Sequence, residues 1–333
     1  MSEFTLIDRY FRNSTVERDD VVLGIGDDAA LLQVPPGHQL VVSTDTLVEG
    51  VHFPAGTDPE AIGHKALAVN ISDLAAMGAM PAWATLALTL PEQSADWLSG
   101  FMGGFNALAK SFKVALVGGD TTRGPLTITV QIMGHLPIGR GLRRDGANPG
   151  DRVFVTGQLG DAALVLHLIQ QGLPNNCGEA SLRILQDRLD RPQPRVSAGL
   201  KLLDLATSAI DLSDGLLSDL EHIGSASSCG VKIFREQVPC SAVLTAWSEE
   251  QKQGAENQSN NQLASKFLLN GGDDYELCFT VPASRIDWLE REDWGHCGGV
   301  TEIGIVTQET GLLLVDGAGA ELTLPGSGYD HFR

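Results

Sequence analysis

The chain has 333 residues, 43% of them hydrophobic, and sets 23 Lys and Arg against 42 Asp and Glu for a formal net charge of −19. That length predicts two globular domains with ample core, and that charge argues against nucleic acid or an anionic membrane as a direct partner. Five cysteines, odd in number and without a Cys-x-x-Cys pair, argue against a disulfide framework or a zinc site; with no signal-like N-terminus and no run of eighteen apolar residues, a cytoplasmic protein is expected.

In chain order, residues 3–12 predict a short amphipathic helix with Phe4, Leu6, Ile7, Tyr10 and Phe11 on one face. Residues 39–48 are rich in β-branched side chains and predict a strand. Asp58-Pro59-Glu60 reads as a helix start, with Asp as cap and Pro in the first turn, and the helix runs to Met77 with Gly78 as its stop. A strand at 83–90 and a helix at 93–112 follow, the helix carrying Trp97, Phe101, Phe105 and Leu108 on one face. Strands are expected at 113–118 and 125–136, joined by Gly118–Gly124. Residues 139–150 are rich in Gly, Arg and Asn-Pro-Gly and suit a linker, so the domains are expected at 1–138 and 151–333.

The second half predicts a strand at 151–156, a helix to Gln171, helices near 179–188 and 194–207, and a short strand over Ser208–Leu212. A helix over Asp214–Ser227 and a strand at 230–235 follow. The polar run 249–266 reads as a solvated loop or frayed helix without a site. Strands at 275–281, 301–307 and 311–316 close the chain. Mixed strands and helices with few clean βαβ repeats predict an α/β or α+β fold in both halves.

Carboxylates recur in one kind of setting. Gly24-Ile25-Gly26-Asp27-Asp28 leads two glycines into adjacent acids that repel each other unless a cation lies beside them. Asp45 ends a strand between Thr44 and Thr46, with Ser43 preceding; solvation alone would also account for it. Asn70 and Asp73 share one face of an Ala-rich helix, which a buried hydrogen-bonded pair would also explain. Asp120 follows Gly118-Gly119, whose backbone can approach a phosphate, although a plain turn fits as well. Asp211-Leu212-Ser213-Asp214-Gly215 lies between a strand and a helix, where Asp214 could serve only as an N-cap. Gly271-Gly272-Asp273-Asp274 echoes the opening pattern.

Taken together, oxygen-only donors beside glycines point to Mg2+ or Mn2+ and to phosphate chemistry. The Walker pattern and the three-glycine dinucleotide fingerprint are both absent. Of the scarce cations, Arg123 follows Gly-Gly-Asp-Thr-Thr, and Arg140, Arg143 and Arg144 cluster in the linker, as a solvated run or as a phosphate clamp. His52 stands out among the histidines, seven residues after Asp45.

The ordered set Gly-Ile-Gly-Asp-Asp-Ala-Ala, Ser-Thr-Asp-Thr-Leu-Val-Glu-Gly-Val-His-Phe, Ala-Val-Asn-Ile-Ser-Asp-Leu-Ala-Ala-Met-Gly, Gly-Gly-Asp-Thr-Thr-Arg-Gly, Asp-Leu-Ser-Asp-Gly-Leu, Gly-Gly-Asp-Asp-Tyr-Glu-Leu and Gly-Tyr-Asp-His-Phe resembles the thiamine-monophosphate kinase family over nearly the whole chain. That family lies within the aminoimidazole ribonucleotide synthetase-related superfamily. The resemblance implies a two-domain fold of that superfamily and a homodimer pairing through N-terminal strands. It also implies transfer of the γ-phosphoryl of ATP to thiamine monophosphate at a domain cleft, assisted by several Mg2+ ions and without a dedicated catalytic base.

By motif match, Asp28, Ser43, Thr44, Asp45, Asp73, Asp120, Asp211 and Asp214 would hold Mg2+; Gly119, Asp120, Arg144 and Ser213 would contact ATP; His52, Asp273 and Tyr329 would contact thiamine monophosphate. Asp28 is preferred for metal over Asp27, which would shape the turn. The family usually has Glu where Asp273 stands, so the reach of that acid is one methylene shorter. Two alternatives stay open: another ATP-using member of the superfamily, or a nucleotide or thiamine-phosphate sensor. A selenophosphate synthetase would want a reactive N-terminal Cys, and a hydrogenase-maturation relative a C-terminal Cys. Here the first Cys is Cys177 and the chain ends His331-Phe332-Arg333.

Overall fold

The computed structural model describes residues 7–12, 16–172, 179–252 and 257–325. The chain divides into two compact units, Met1–Gly141 with Asp190–Val196, and Leu142–Leu189 with Ser197–Arg333. Both mix helices and sheet, in line with the α/β or α+β expectation.

In the first unit, strands β1 (Val21–Leu23) and β2 (Leu31–Leu32) form a small ribbon. Strands β3 (His38–Val48), β4 (Met80–Leu90), β5 (Ala115–Arg123) and β6 (Thr127–Pro137) form a sheet in the order β3-β6-β4-β5. Only β4 and β5 run parallel in it, because a helix crosses between them, whereas β6 pairs antiparallel with both β3 and β4. The ribbon covers part of one sheet face: Val21, Ala30, Leu32 and Val34 pack on Ala82, Trp83, Ala115 and Val117. Arg18 pins it there, donating to both oxygens of Asp20, while Trp83 Nε1 donates to Asp20 Oδ1 at 3.0 Å.

Helix α1 (Pro59–Ala76) starts where the sequence predicts, with Asp58 accepting from the Glu60 N–H. From Ala61 to Ala76 all but His64 and Asp73 are buried, so the helix has almost no solvent face. It packs against β3 and β6 on one side and helix α2 (Ala95–Phe112) on the other. α2 is amphipathic: Leu98, Phe101, Phe105 and Leu108 are buried, and the Trp97, Phe101 and Phe105 rings stack in series. The two helices touch through reciprocal glycines. A Cβ on Gly63 would overlap the Phe101 carbonyl oxygen, and one on Gly104 the Glu60 carbonyl oxygen.

Two sequence expectations need correction here. The strand expected to end at 118 continues to Arg123, because β4 runs parallel beside it and Leu86 lies opposite Gly119. Gly119 permits this approach, since any Cβ there would overlap the Leu86 carbonyl; Asp120 therefore sits within a strand rather than in a turn. The N-terminal helix is, within the described residues, one wide turn over Ile7–Phe11, with Tyr10 and Phe11 buried. Phe4 and Leu6 lie outside the described residues.

In the second unit, strands β7 (Arg152–Thr156), β8 (Ser208–Asp211), β9 (Gly230–Phe234), β10 (Leu277–Val281), β11 (Val300–Thr307) and β12 (Gly311–Val315) form a sheet in the order β12-β9-β11-β7-β10-β8. It is antiparallel except for β12 with β9. Helices α3 (Asp161–Gln170), α4 (Glu179–Asp190), α5 (Val196–Leu202), α6 (Leu216–Ser227), α7 (Ala242–Lys252), α8 (Asn257–Asn270) and α9 (Ile286–Arg291) complete the chain. Val153, Val155, Ile210 and Ile233 from the sheet share a core with Leu164, Leu220, Ile223 and Leu268 from the helices.

The polar run read as a loop or frayed helix is mostly helical, split between α7 and α8. Ala264, Phe267 and Leu268, spaced for one helix face, bury against the core and hold α8 in place. The helix expected from Asp214 starts at Leu216 with Gly215, at φ 109°, in the cap position, so Asp214 is not an N-cap.

Candidate functional site

In the first unit a cavity of about 470 Å³ is lined by Arg12, Asp27, Asp28, Gly118, Gly119 and Asp120, among others. The Gly24–Asp28 turn and the C-terminal half of β5 thus bring three of the acids singled out in the sequence to one wall. Asp27 Oδ1 accepts the Asp28 N–H at 2.8 Å, which closes the turn and leaves the Asp28 carboxylate outside that bond. Gly118 and Gly119 offer bare backbone beside Asp120.

Strand β3 and helix α1 form a second group. Ser43 and Asp45 share the β3 face turned to α1, while Thr44, exposed, alternates to the opposite face. Ser43 Oγ donates to Asp73 Oδ2, and the Asp45 N–H donates to Asn70 Oδ1 at 3.0 Å. Asn70 Nδ2 in turn donates to the Ala66 carbonyl at 2.9 Å. Asn70 therefore fixes the β3 backbone beside Asp45 as a structural clamp, and Asp73 is the more accessible of the helix pair. After β3 the chain turns back, and His52 Nδ1 accepts the Val48 N–H at 2.9 Å. That bond places the imidazole proton on Nε2 in the neutral ring. Lys65, buried within α1, donates to the His52 carbonyl at 3.2 Å and ties this loop to the helix.

In the second unit, Asp211 ends β8, and Ser213 and Asp214 precede α6. Asp219 lies one turn into α6 and accepts the Asp214 N–H at 3.2 Å. Burial and the neighbouring charges of Asp211 and Asp214 push the Asp219 carboxyl up to about 8, with Arg144 acting in the opposite sense. The structure thus gathers Arg144, Asp211 and Asp214 around a buried acid that sequence reasoning passed over. Its signal was present: an acid five residues after Asp214, on an otherwise apolar helix face.

The 271–276 loop is zipped to this segment. Asp273 N–H donates to the Ser213 carbonyl at 3.0 Å, and Tyr275 N–H to the Leu212 carbonyl at 2.8 Å. Asp273 and Tyr275 adopt φ of 67° and 49°, a strained region for non-glycine residues. Tyr275 hydroxyl donates to Asp273 Oδ1 at 3.2 Å, a contact the sequence did not reveal. Between them Asp274 accepts the Gly160 N–H with both oxygens, at 2.9 and 3.1 Å. Its enclosure raises the carboxyl well above the usual carboxylate range. Tyr329 lies outside the described residues.

Arg143 forms a two-pronged ion pair with its neighbour Asp145, which occupies it otherwise than in a phosphate clamp. Arg123 and Arg140 are exposed. Among the described residues no three His, Cys, Asp or Glu side chains converge as one metal-holding group, and no helix is long and apolar enough to cross a membrane.

Residues 26–136 match the family model for the AIR synthase related protein, N-terminal domain. The chain is 47% identical over 331 residues to the thiamine-monophosphate kinase of Escherichia coli (strain K12), covering 99% of this chain and 98% of that protein. A crystal structure of thiamine-monophosphate kinase from Stenotrophomonas maltophilia K279a superposes with a TM-score of 0.84 at 48% identity, covering 94% of this chain and 96% of that one. A solved structure of AaThiL complexed with AMPPCP and TMP superposes with a TM-score of 0.76 at 31% identity, over 99% and 97%.

Proposed function

This chain belongs to the thiamine-monophosphate kinase family, an ATP-dependent kinase of thiamine monophosphate on an AIR synthase-like fold, and from that premise we propose that the γ-phosphoryl passes directly, in line, from ATP to the substrate phosphate with Mg2+ at the acids of both units. The observation that carries this is the cavity wall where Asp28 and Asp120 meet the bare backbone of Gly118 and Gly119. Donor and acceptor are both anionic, so carboxylates at such a wall repel them unless cations intervene.

The donor set fits Mg2+. It is all oxygen, and Mg2+ keeps several waters while binding through one or two carboxylates plus substrate phosphates. A cage of three converged side chains is therefore not required. In this reading Asp28, Ser43, Asp45, Asp73 and Asp120 are the side-chain ligands from the first unit, Thr44, whose side chain faces the other way, would contribute only through its main chain, and Asp211 and Asp214 are the ligands from the second. Bound Mg2+ would supply charge neutralisation and spread the charge of the transition state. Gly119 N–H, Arg144 and Ser213 orient the nucleotide; His52, Asp273 and Tyr329 hold thiamine monophosphate. The attacking phosphate oxygen is already ionised at neutral pH, so no side chain has to remove a proton.

The chain is further proposed to work in the cytoplasm as a homodimer. Strand β3 is a sheet edge eleven residues long, and Leu40 and Val42 on its face outside α1 are each 49% exposed. An edge of that length with apolar side chains invites a second strand. Val42→Lys should convert a dimer to a monomer in light scattering; an unchanged mass would remove β3 from the interface.

The direct test of function is incubation with ATP, Mg2+ and thiamine monophosphate, reading thiamine diphosphate. Folded, metal-supplied protein that makes none would defeat the reading. With a chiral γ-phosphate, inversion supports direct transfer and retention would demand a phosphoenzyme.

A further inference from the structure

Arg12 is the one cation among the described residues lining the first-unit cavity, whose lining also includes Asp28, Gly119 and Asp120. It is held in place. Tyr10 and Phe11 immediately before it are buried, and Tyr10 hydroxyl donates to the Ala95 carbonyl at 3.4 Å. Arg12 Nε donates to the Ile25 carbonyl at 3.2 Å. The guanidinium lies against the Cα of Gly26, where any Cβ would overlap Arg12 Nη2. Gly26 also has φ of 132°, so its backbone favours glycine, and the absence of a Cβ leaves room for the guanidinium beside it.

We propose that Arg12 is a phosphate-binding residue of this site, engaging the polyphosphate of ATP within the cavity it shares with Asp28 and Asp120. This rests on the kinase reading and extends it. A guanidinium presents a planar fork matched to phosphate oxygens. Its charge is permanent and independent of metal, which distinguishes it from every other cavity feature: the acids attract nucleotide only through cations, and Gly118 and Gly119 contribute dipoles. In a chain of net charge −19, one fixed positive group at the wall sets which way the polyphosphate enters. The Gly24–Asp28 turn then has two tasks, presenting Asp28 and seating Arg12.

The experiment is calorimetric titration of Mg2+ with a non-hydrolysable ATP analogue, and separately of thiamine monophosphate, into wild type, Arg12→Gln and Arg12→Lys. Arg12→Gln should lose about 10- to 100-fold in analogue affinity, the scale of a lost charge-assisted contact, and keep its thiamine monophosphate affinity within twofold. Arg12→Lys should recover part of the loss. In turnover, KM for ATP rises in Arg12→Gln while KM for thiamine monophosphate holds. Unchanged analogue affinity in Arg12→Gln overturns the proposal. Equal loss for both ligands with a lowered Tm also overturns it, since that marks a structural prop. A wild type that binds the analogue but yields no thiamine diphosphate overturns the kinase reading, while the Arg12 comparison still decides its own question. A wild type that does not bind the analogue overturns both.

Discussion

Gly63→Ala tests how the helix carrying Asn70 and Asp73 is seated. The added methyl would overlap the Phe101 carbonyl and crowd the Phe105 N–H, and both are main chain of α2. A side chain could rotate away; a backbone cannot. Carbon–heteroatom contacts settle near about 3.5 Å, so α1 and α2 would have to part by roughly an ångström or more. Overpacking of this kind costs about 1–3 kcal/mol, and a backbone contact belongs at the upper end. About 3 kcal/mol corresponds to a fall in Tm of roughly 6–12 °C for a unit of this size. Gly103→Ala is the internal control: it lies on the same α2 helix with nothing within 4 Å of its would-be Cβ. It should match wild type or gain up to about 1 kcal/mol from helix propensity. Gly63→Ala combined with Gly104→Ala should cost less than the two singles together, because the first substitution already opens the pair. Urea and thermal denaturation read all of this. Gly63→Ala as stable as Gly103→Ala would refute the reasoning.

Asp45→Asn and Asp120→Asn should each abolish turnover while circular dichroism and Tm stay near wild type; a collapse of the fold instead would make these acids structural. Tyr275→Phe removes the hydroxyl that holds Asp273, and KM for thiamine monophosphate should rise about 2- to 10-fold with KM for ATP steady; identical constants would mean that Tyr275 does not position Asp273. Arg18, and then Trp83, hold the Asp20 carboxyl below the usual carboxylate range. Its contribution is therefore present above about pH 4, the unfolded value, and is lost as pH falls through the lower folded value. The gap in urea midpoint between wild type and Asp20→Asn should be widest at neutral pH and narrow on acidification; a gap independent of pH would break the argument.

The elements that were legible from sequence carried their own punctuation. Asp58-Pro59 marked the start of α1 and Gly78 its end, and the β-branched 39–48 run marked β3 almost to the residue. Misreadings arose where a partner element overruled a local signal. Gly118-Gly119 looked like a strand end, yet β4 alongside supplies the ladder and needs glycine for the close approach. The polar 249–266 run, read as a loop or frayed helix, belongs mostly to a helix that packs through Ala264 at its end and Phe267 and Leu268 just beyond it. The site divides similarly. Acids beside glycines could be read one at a time. Arg12 could not, because its meaning depends on Gly26 and β5, distant in sequence but adjacent at the cavity. Asp219 and Tyr275 touch partners close in sequence, Asp214 and Asp273, but the backbone turns that make those contacts are not visible in residue types alone.

Helix α1 has almost no wet side, and that bears on how the site can move. A buried helix cannot fray or re-dock by itself; its amides open to solvent only when the unit opens. Amide exchange along Leu67–Asp73 should follow the global unfolding of the first unit, over hours rather than seconds. The acids on α1 and the β3 backbone clamped to it thus form a stationary frame during turnover. The Gly26–Asp28 part of the opening turn, by contrast, is exposed and lies outside that frame, so its amides should exchange far faster than those of Leu67–Asp73.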